Sequence, residues 1–238
     1  MAILPVSAPP AFAEQGFTLS LETGAVRQSR NDVRVPGDGG TRFAFDELTG
    51  SGPFAFVRLS ADYDINRRHA VRAVYAPYRI QERGALSEAV DFAGERFDAG
   101  TAQGTYQFNA PRLTYRYRLL DRQEWQLQVG LTLLVRDAEI RLDQDGRRAR
   151  DTNTGLVPLL HVAGSYALGE HWRLAFDLDG LAAPQGRAFD LGVRAEYALD
   201  ERWRLHAGYR TLDGGVDNDR VYNFAWLNYA VIGMSRQL

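Results

Sequence analysis

The stretch Asp190–Arg210, DLGVRAEYALDERWRLHAGYR, reads as two period-2 runs joined by a charged turn. Leu191, Val193, Ala195, Tyr197 and Leu199 fall on one face of the first run, and Asp190, Gly192, Arg194 and Glu196 on the other. After Asp200-Glu201-Arg202, Trp203, Leu205, Ala207 and Tyr209 alternate with Arg204, His206, Gly208 and Arg210. Successive side chains of a strand point to opposite faces, so this is a β-hairpin with one apolar and one ionic surface.

The same unit recurs. YRYRLLDRQEWQLQV at 115–129, GSYALGEHWRLAF at 164–176 and AEYALDERWRLHA at 195–207 each present Tyr, then Leu, a charged turn, and a Trp that restarts the apolar face. Working outward, the alternation predicts further strands at Gly16–Val26, Pro53–Ile65, Ala70–Ile80, Gln103–Leu120 and Trp125–Leu142. Gly155–Leu168, Trp172–Leu181 and Arg220–Met234 follow, making ten with the opening hairpin. Pro77 and Pro158 mark distortions, because proline cannot donate to a ladder. The last strand lacks a continuous alternation, and a bulge near Trp226–Asn228 would reconcile its halves. Short turns at Asn66, Asp121, Gly169 and Asp200 alternate with connections at Arg27–Gly52, Gln81–Ala102, Asp143–Thr154 and Asp213–Asp219 that are mostly longer. A short link, Ala182–Gly186, precedes the opening hairpin.

The chain has 238 residues and a net charge of -2, which argues against a nucleic-acid partner driven by counterion release. Every cation other than His is Arg, and there is no Cys, so thiolate chemistry and disulfides are excluded. No run of eighteen apolar residues exists, which excludes a helical span but not a membrane barrel, whose strands carry only about 10 alternating residues each. Residues 1–15, MAILPVSAPPAFAEQ, read as a remnant of a secretory signal ending in Ala11-Phe12-Ala13, leaving 16–238 as one barrel domain.

Ten strands with short turns at one end and mostly longer loops at the other resemble the up-and-down β-barrels of bacterial outer membranes. The resemblance covers the chain from about Gly16 and implies an antiparallel transmembrane barrel in the outer membrane of a Gram-negative cell, with periplasmic turns and termini. It also implies a monomer in contact with the lipid bilayer and lipopolysaccharide, inserted by the barrel-assembly machinery. Tyr117, Trp125, Tyr166, Trp172, Tyr197 and Trp203 would then form the periplasmic aromatic girdle. The terminal Leu238 departs from that family, which usually ends in an aromatic residue. The alternative is a soluble barrel of lipocalin type, since alternation reads the same inside out.

On the membrane reading the ionic face lines the lumen: Glu22, Arg58, Asp62, Arg72, Arg112, Arg116, Arg118, Arg136, Asp177, Asp190, Arg194, Glu196, Arg204 and Arg210. Charges crowded in so narrow a space must pair, because an isolated buried charge is too costly. Three functions are compatible: a salt-bridged barrel with a structural or interaction role, a narrow anion-leaning pore, or a membrane hydrolase. Omptin proteases are also ten-stranded outer-membrane barrels, with acidic and His residues at the extracellular rim. Asp177 and Asp179, near the extracellular end of their strand, with lumenal His161 and His206, are the catalytic candidates on that comparison. Lipid A deacylases use a Ser–His pair; Ser165 and His161 share a face but stand about 13 Å apart along a strand. The four His residues are scattered, so no metal site is expected, and no cofactor motif occurs.

Overall fold

A computed structural model describes residues 16–238, and the expected signal remnant lies outside them. The chain gives β1 (Gly16–Arg34), a two-residue β2 (Phe43–Ala44), one helical turn α1 (Phe45–Thr49), β3 (Phe54–Asp64) and β4 (His69–Tyr75). Next come β5 (Arg79–Leu86), the small hairpin β6 (Val90–Phe92) and β7 (Glu95–Phe97), and β8 (Gly100–Asn109). β9 (Arg112–Asp121), β10 (Trp125–Gln144), β11 (Arg147–Ala167), β12 (Trp172–Ala183), β13 (Gly186–Ala198), β14 (Trp203–Asp217) and β15 (Tyr222–Gln237) complete it.

Ten strands make the wall, all antiparallel, in the order β1-β3-β4-β9-β10-β11-β12-β13-β14-β15. β15 pairs back onto β1, from Thr18 opposite Gln237 to Arg34 opposite Tyr222, which closes the barrel. The breaks at Pro77 and Pro111 divide two wall strands in height. β4 and β9 pair below, and their continuations β5 and β8 pair above. α1 packs between β1, β5 and β8 and buries Phe45, Leu48 and Thr49.

The outer face carries the apolar rows. Leu131, Leu160 and Ile232 remain 62%, 58% and 59% exposed. A barrel dissolved in water would bury such a contiguous band, so the polarity is that of a membrane protein rather than of a lipocalin. Trp125 stacks on Tyr166 with centroids 4.5 Å apart, and Trp172 on Tyr197 at 4.9 Å, both at the short-turn end. Trp203 lies under Arg236, and Phe17 against Tyr63 extends the same belt.

The long connections differ from the sequence expectation. Arg27–Arg34 continues β1, and Asp213–Asp217 continues β14. Asp143–Thr154 is not a loop: β10 and β11 run through it and turn at Asp145-Gly146, whose φ angles of 48° and 83° are those of a two-residue hairpin turn. Gln81–Ala102 holds β5, the β6–β7 hairpin and the start of β8. The irregularity expected in the last strand sits instead in β1, where Ser29 is the extra residue between the pairs Gln28↔Leu227 and Arg30↔Trp226. β15 itself alternates cleanly, with Leu227, Tyr229 and Val231 buried and Trp226, Ala230 and Ile232 exposed.

These extensions share a cause. Along β10 the outward residues are apolar up to Val135 and then become Asp137, Glu139, Arg141 and Asp143, while the inward ones become Ala138, Ile140 and Leu142. The barrel projects past the apolar band and acquires an ordinary interior there. Val26, Val33, Phe45, Phe92, Phe97, Leu142 and Leu227 are almost wholly buried in that upper core.

Candidate functional site

Inside the band, the period-2 alternation brings the ionic faces of non-adjacent strands together in one buried layer. Asp190 on β13 receives Arg210 Nη1 at 2.5 Å from the neighbouring β14. It is also reached by Arg112 Nη1 of β9 at 2.8 Å and Arg58 Nη1 of β3 at 3.5 Å, from the far side of the lumen. Asp177 on β12 accepts from Arg194 at 2.6 Å and Arg210 at 3.0 Å, and Arg194 also holds Glu196 at 2.8 Å. Glu22 lies 3.6 Å from Arg58 and 3.5 Å from His206. Asp62 takes Arg72 at 2.8 Å and also bonds Arg116. Each carboxylate thus meets at least one buried or half-buried guanidinium, the arrangement that offsets the desolvation cost of charges out of water.

The other expected lumen residues fall outside this layer. Arg118 bonds Asp64 and the Arg67 carbonyl, at the short-turn mouth. Arg204 also faces inward at that mouth, beside Glu196. Arg136 lies above the layer and bonds Asn153.

The catalytic candidates do not reach the rim. Asp177 and Asp179 are 4% and 5% exposed, and the pairs Gly130↔His161 and His161↔Asp179 place them at mid-band. His161 Nδ1 lies 2.7 Å from Asp179 Oδ1, which also accepts from Thr132 at 2.7 Å. Ser165 donates to Gln126 at 3.5 Å, turned away from His161. Among the described residues no cluster of His, Asp or Glu is arranged to hold a metal.

Voids separate into two kinds. Within the ionic layer they measure about 40 and 130 Å³, room for a handful of waters. Above it lies a cavity of about 500 Å³, lined chiefly by apolar side chains including Phe108, Leu134, Ile140, Leu159 and Leu227, with Arg112 and Asp190 at its floor. Sequence reading missed this cavity. Its signal was present in β10, where the alternation continues beyond Val135 with the polarity of its two faces exchanged.

The barrel resembles solved structures of bacterial outer-membrane proteins. It superposes on the outer membrane protease OmpT from Escherichia coli with a TM-score of 0.54 and 12% identity, covering 97% of this chain and 99% of that one. The beta domain of the Bordetella autotransporter BrkA gives 0.48 and 14%, covering 94% and 99%. The attachment invasion locus protein Ail of Yersinia pestis gives 0.45 and 12%, covering 94% and 99%. No family model matches the chain, and no curated protein matches it by sequence. Fold and inside-out polarity together define an outer-membrane β-barrel.

Proposed function

We propose that this barrel is a non-conducting outer-membrane protein whose ion-paired lumen keeps its shape and whose role is structural or interactive. The observation that supports the reading is the set of ties from Arg112 and Arg58 across the lumen to Asp190, with voids of only about 40 and 130 Å³ within the ionic layer itself. Such a layer leaves no continuous water column, and its carboxylates already neutralise the guanidinium groups an anion would use. The His161–Asp179 pair is buried at mid-band rather than at a rim, and Ser165 bonds Gln126 rather than His161, which weighs against a hydrolase.

On this reading the outward band meets the lipid bilayer, and the barrel is a monomer assembled by the barrel-assembly machinery. Above the band the outward Arg30, Arg34, Arg42 and Arg187, stacked over Phe224 and Tyr222, would meet the lipopolysaccharide layer. The deciding measurement is planar-bilayer conductance. The purified barrel is expected to give no discrete steps. Steps that vanish when Arg116 or Arg194 is neutralised would replace this reading with an anion pore. Turnover of peptide or lipid A, lost on changing Asp177 or His206, would replace it with a hydrolase.

A further inference from the structure

The wall has a parting. β11 and β12 pair from Ala167↔Arg173 up to Leu160↔Gly180 and no further, although β11 begins at Arg147 and β12 runs to Ala183. Leu160 lies opposite Leu131 of β10, whose outward apolar row continues to Val135 opposite Leu156. The two strands therefore separate inside the upper part of the apolar band. In an antiparallel ladder alternate residues turn their N–H and C=O to opposite neighbours. The Ala167 N–H donates to Glu124 beside β10, so the even positions of β11 face β12. The first even position above the ladder is Pro158, which brings no N–H to the opening. An unpaired donor in hydrocarbon is costly, and at this position the sequence has none.

The opening leads into the 500 Å³ cavity, whose lining takes in Leu156 and Pro158 on one lip and Leu181 and Ala183 on the other. That volume lies within the ~300–1,000 Å³ typical of small-molecule sites. One cation in it stands apart. Arg112 is matched by Asp179 and Asp190, whereas Arg136 joins no ion pair among the described residues; it bonds the neutral Asn153, and its Nε is buried without a partner. We propose that the cavity binds one apolar chain carrying an anionic headgroup, with the headgroup on Arg136 and access from the outer leaflet between β11 and β12.

The test uses palmitate as the probe and native mass spectrometry of the detergent-purified barrel, with heat-modifiable gel mobility confirming that each variant folds. One palmitate per barrel is expected, and 1-hexadecanol, with the same chain and no charge, at least tenfold weaker. R136Q is expected to weaken palmitate at least tenfold, while R136K retains it. A188W, which adds bulk at a cavity-lining position, is expected to abolish binding. A182W, on the lip, is expected to slow exchange of bound palmitate. Equal binding of hexadecanol, or indifference to R136Q, would overturn the headgroup site. Unchanged binding by A188W would place the chain on the outer wall and overturn the cavity site. Unchanged exchange in A182W would overturn the lateral route. Phosphatidylglycerol showing the same variant pattern would support the site and make a membrane lipid the source; palmitate alone showing it would support the site for a free acid.

Discussion

Arg112 and Asp190 meet at 2.8 Å although β9 and β13, which carry them, stand four strands apart in a ten-stranded ring. The contact is nearly a diameter of the barrel. It pulls opposite walls together through the ionic layer, and Arg112 also holds Asp179 at 2.9 Å.

Removing one end of that tie should be worse than removing both. R112A leaves two carboxylates buried beside the cavity, and truncating one partner of a buried pair costs about 3–5 kcal/mol. The R112A/D190A double variant should recover part of that loss. Guanidinium unfolding in lipid vesicles, analysed as a double-mutant cycle, measures the coupling. Additive losses would show that Arg112 and Asp190 do not act as a pair.

A second expectation separates the outer face from ordinary protein surface. Leu131 is more than half exposed, so in a water-soluble barrel L131R would be nearly neutral. At the middle of a bilayer it should cost about 2–4 kcal/mol. T154L, just above the band at an exposed position opposite Asp137 on β11, should shift stability by no more than about 0.5 kcal/mol. Equal effects of the two substitutions would contradict the assigned edge of the band.

The tall β10–β11 hairpin depends on its tip. Gly146 has φ of 83° and nothing within 4 Å of where a Cβ would stand, so G146A should strain the backbone alone, by about 1 kcal/mol. Hydrogen exchange should quicken at Gln144 and Arg147 while Gly130 and His161, low in the same hairpin, stay protected. Uniform loss of protection would mean the hairpin does not fray locally.

At the end away from the short turns, the guanidinium of Arg147 donates to Asp98 at 2.5 Å and holds its carboxyl below the usual carboxylate range. A depressed folded value means the contact contributes at pH above the unfolded pKa and is lost as pH falls through the folded one. The Asp98 carboxyl signal in ¹³C NMR should titrate below ~3.9, the reference value, and move up towards it in R147Q. Asp98 is largely in solvent and Arg147 is partly so, and a pair of this kind contributes little, so global stability should hardly change.

Nine of the ten strands were legible because they keep a period of two across the band, as in Leu127 to Val135 against Gln126 to Arg136, whereas Asn228 on the outer face of the last one hid its alternation. The girdle was legible for the same reason, since Trp125, Trp172 and Trp203 each restart an apolar face. The heights of the strands were not. Polar outward residues such as Asp143, Arg148 and Arg150 read as loop, although Asp145-Gly146 carries a strong hairpin-turn signal. Partner choice inside the lumen was not legible either. Asp177 and Asp179 share a face two residues apart, yet one meets Arg194 and Arg210 and the other Arg112 and His161. That assignment depends on which walls face each other across a closed ring, which pattern along a single strand does not encode.

The exchange of polarity at Val135 and Arg136 also sets depth. If the barrel rose, Leu131 and Leu133 would leave hydrocarbon for water. If it sank, Asp137 and Glu139 would enter the bilayer, where the cost of a charge rises with depth towards about 2–4 kcal/mol at the midplane. The resting height is thereby specified by side chains on the wall, and the parting beside Pro158 is held at one depth near the edge of the apolar band.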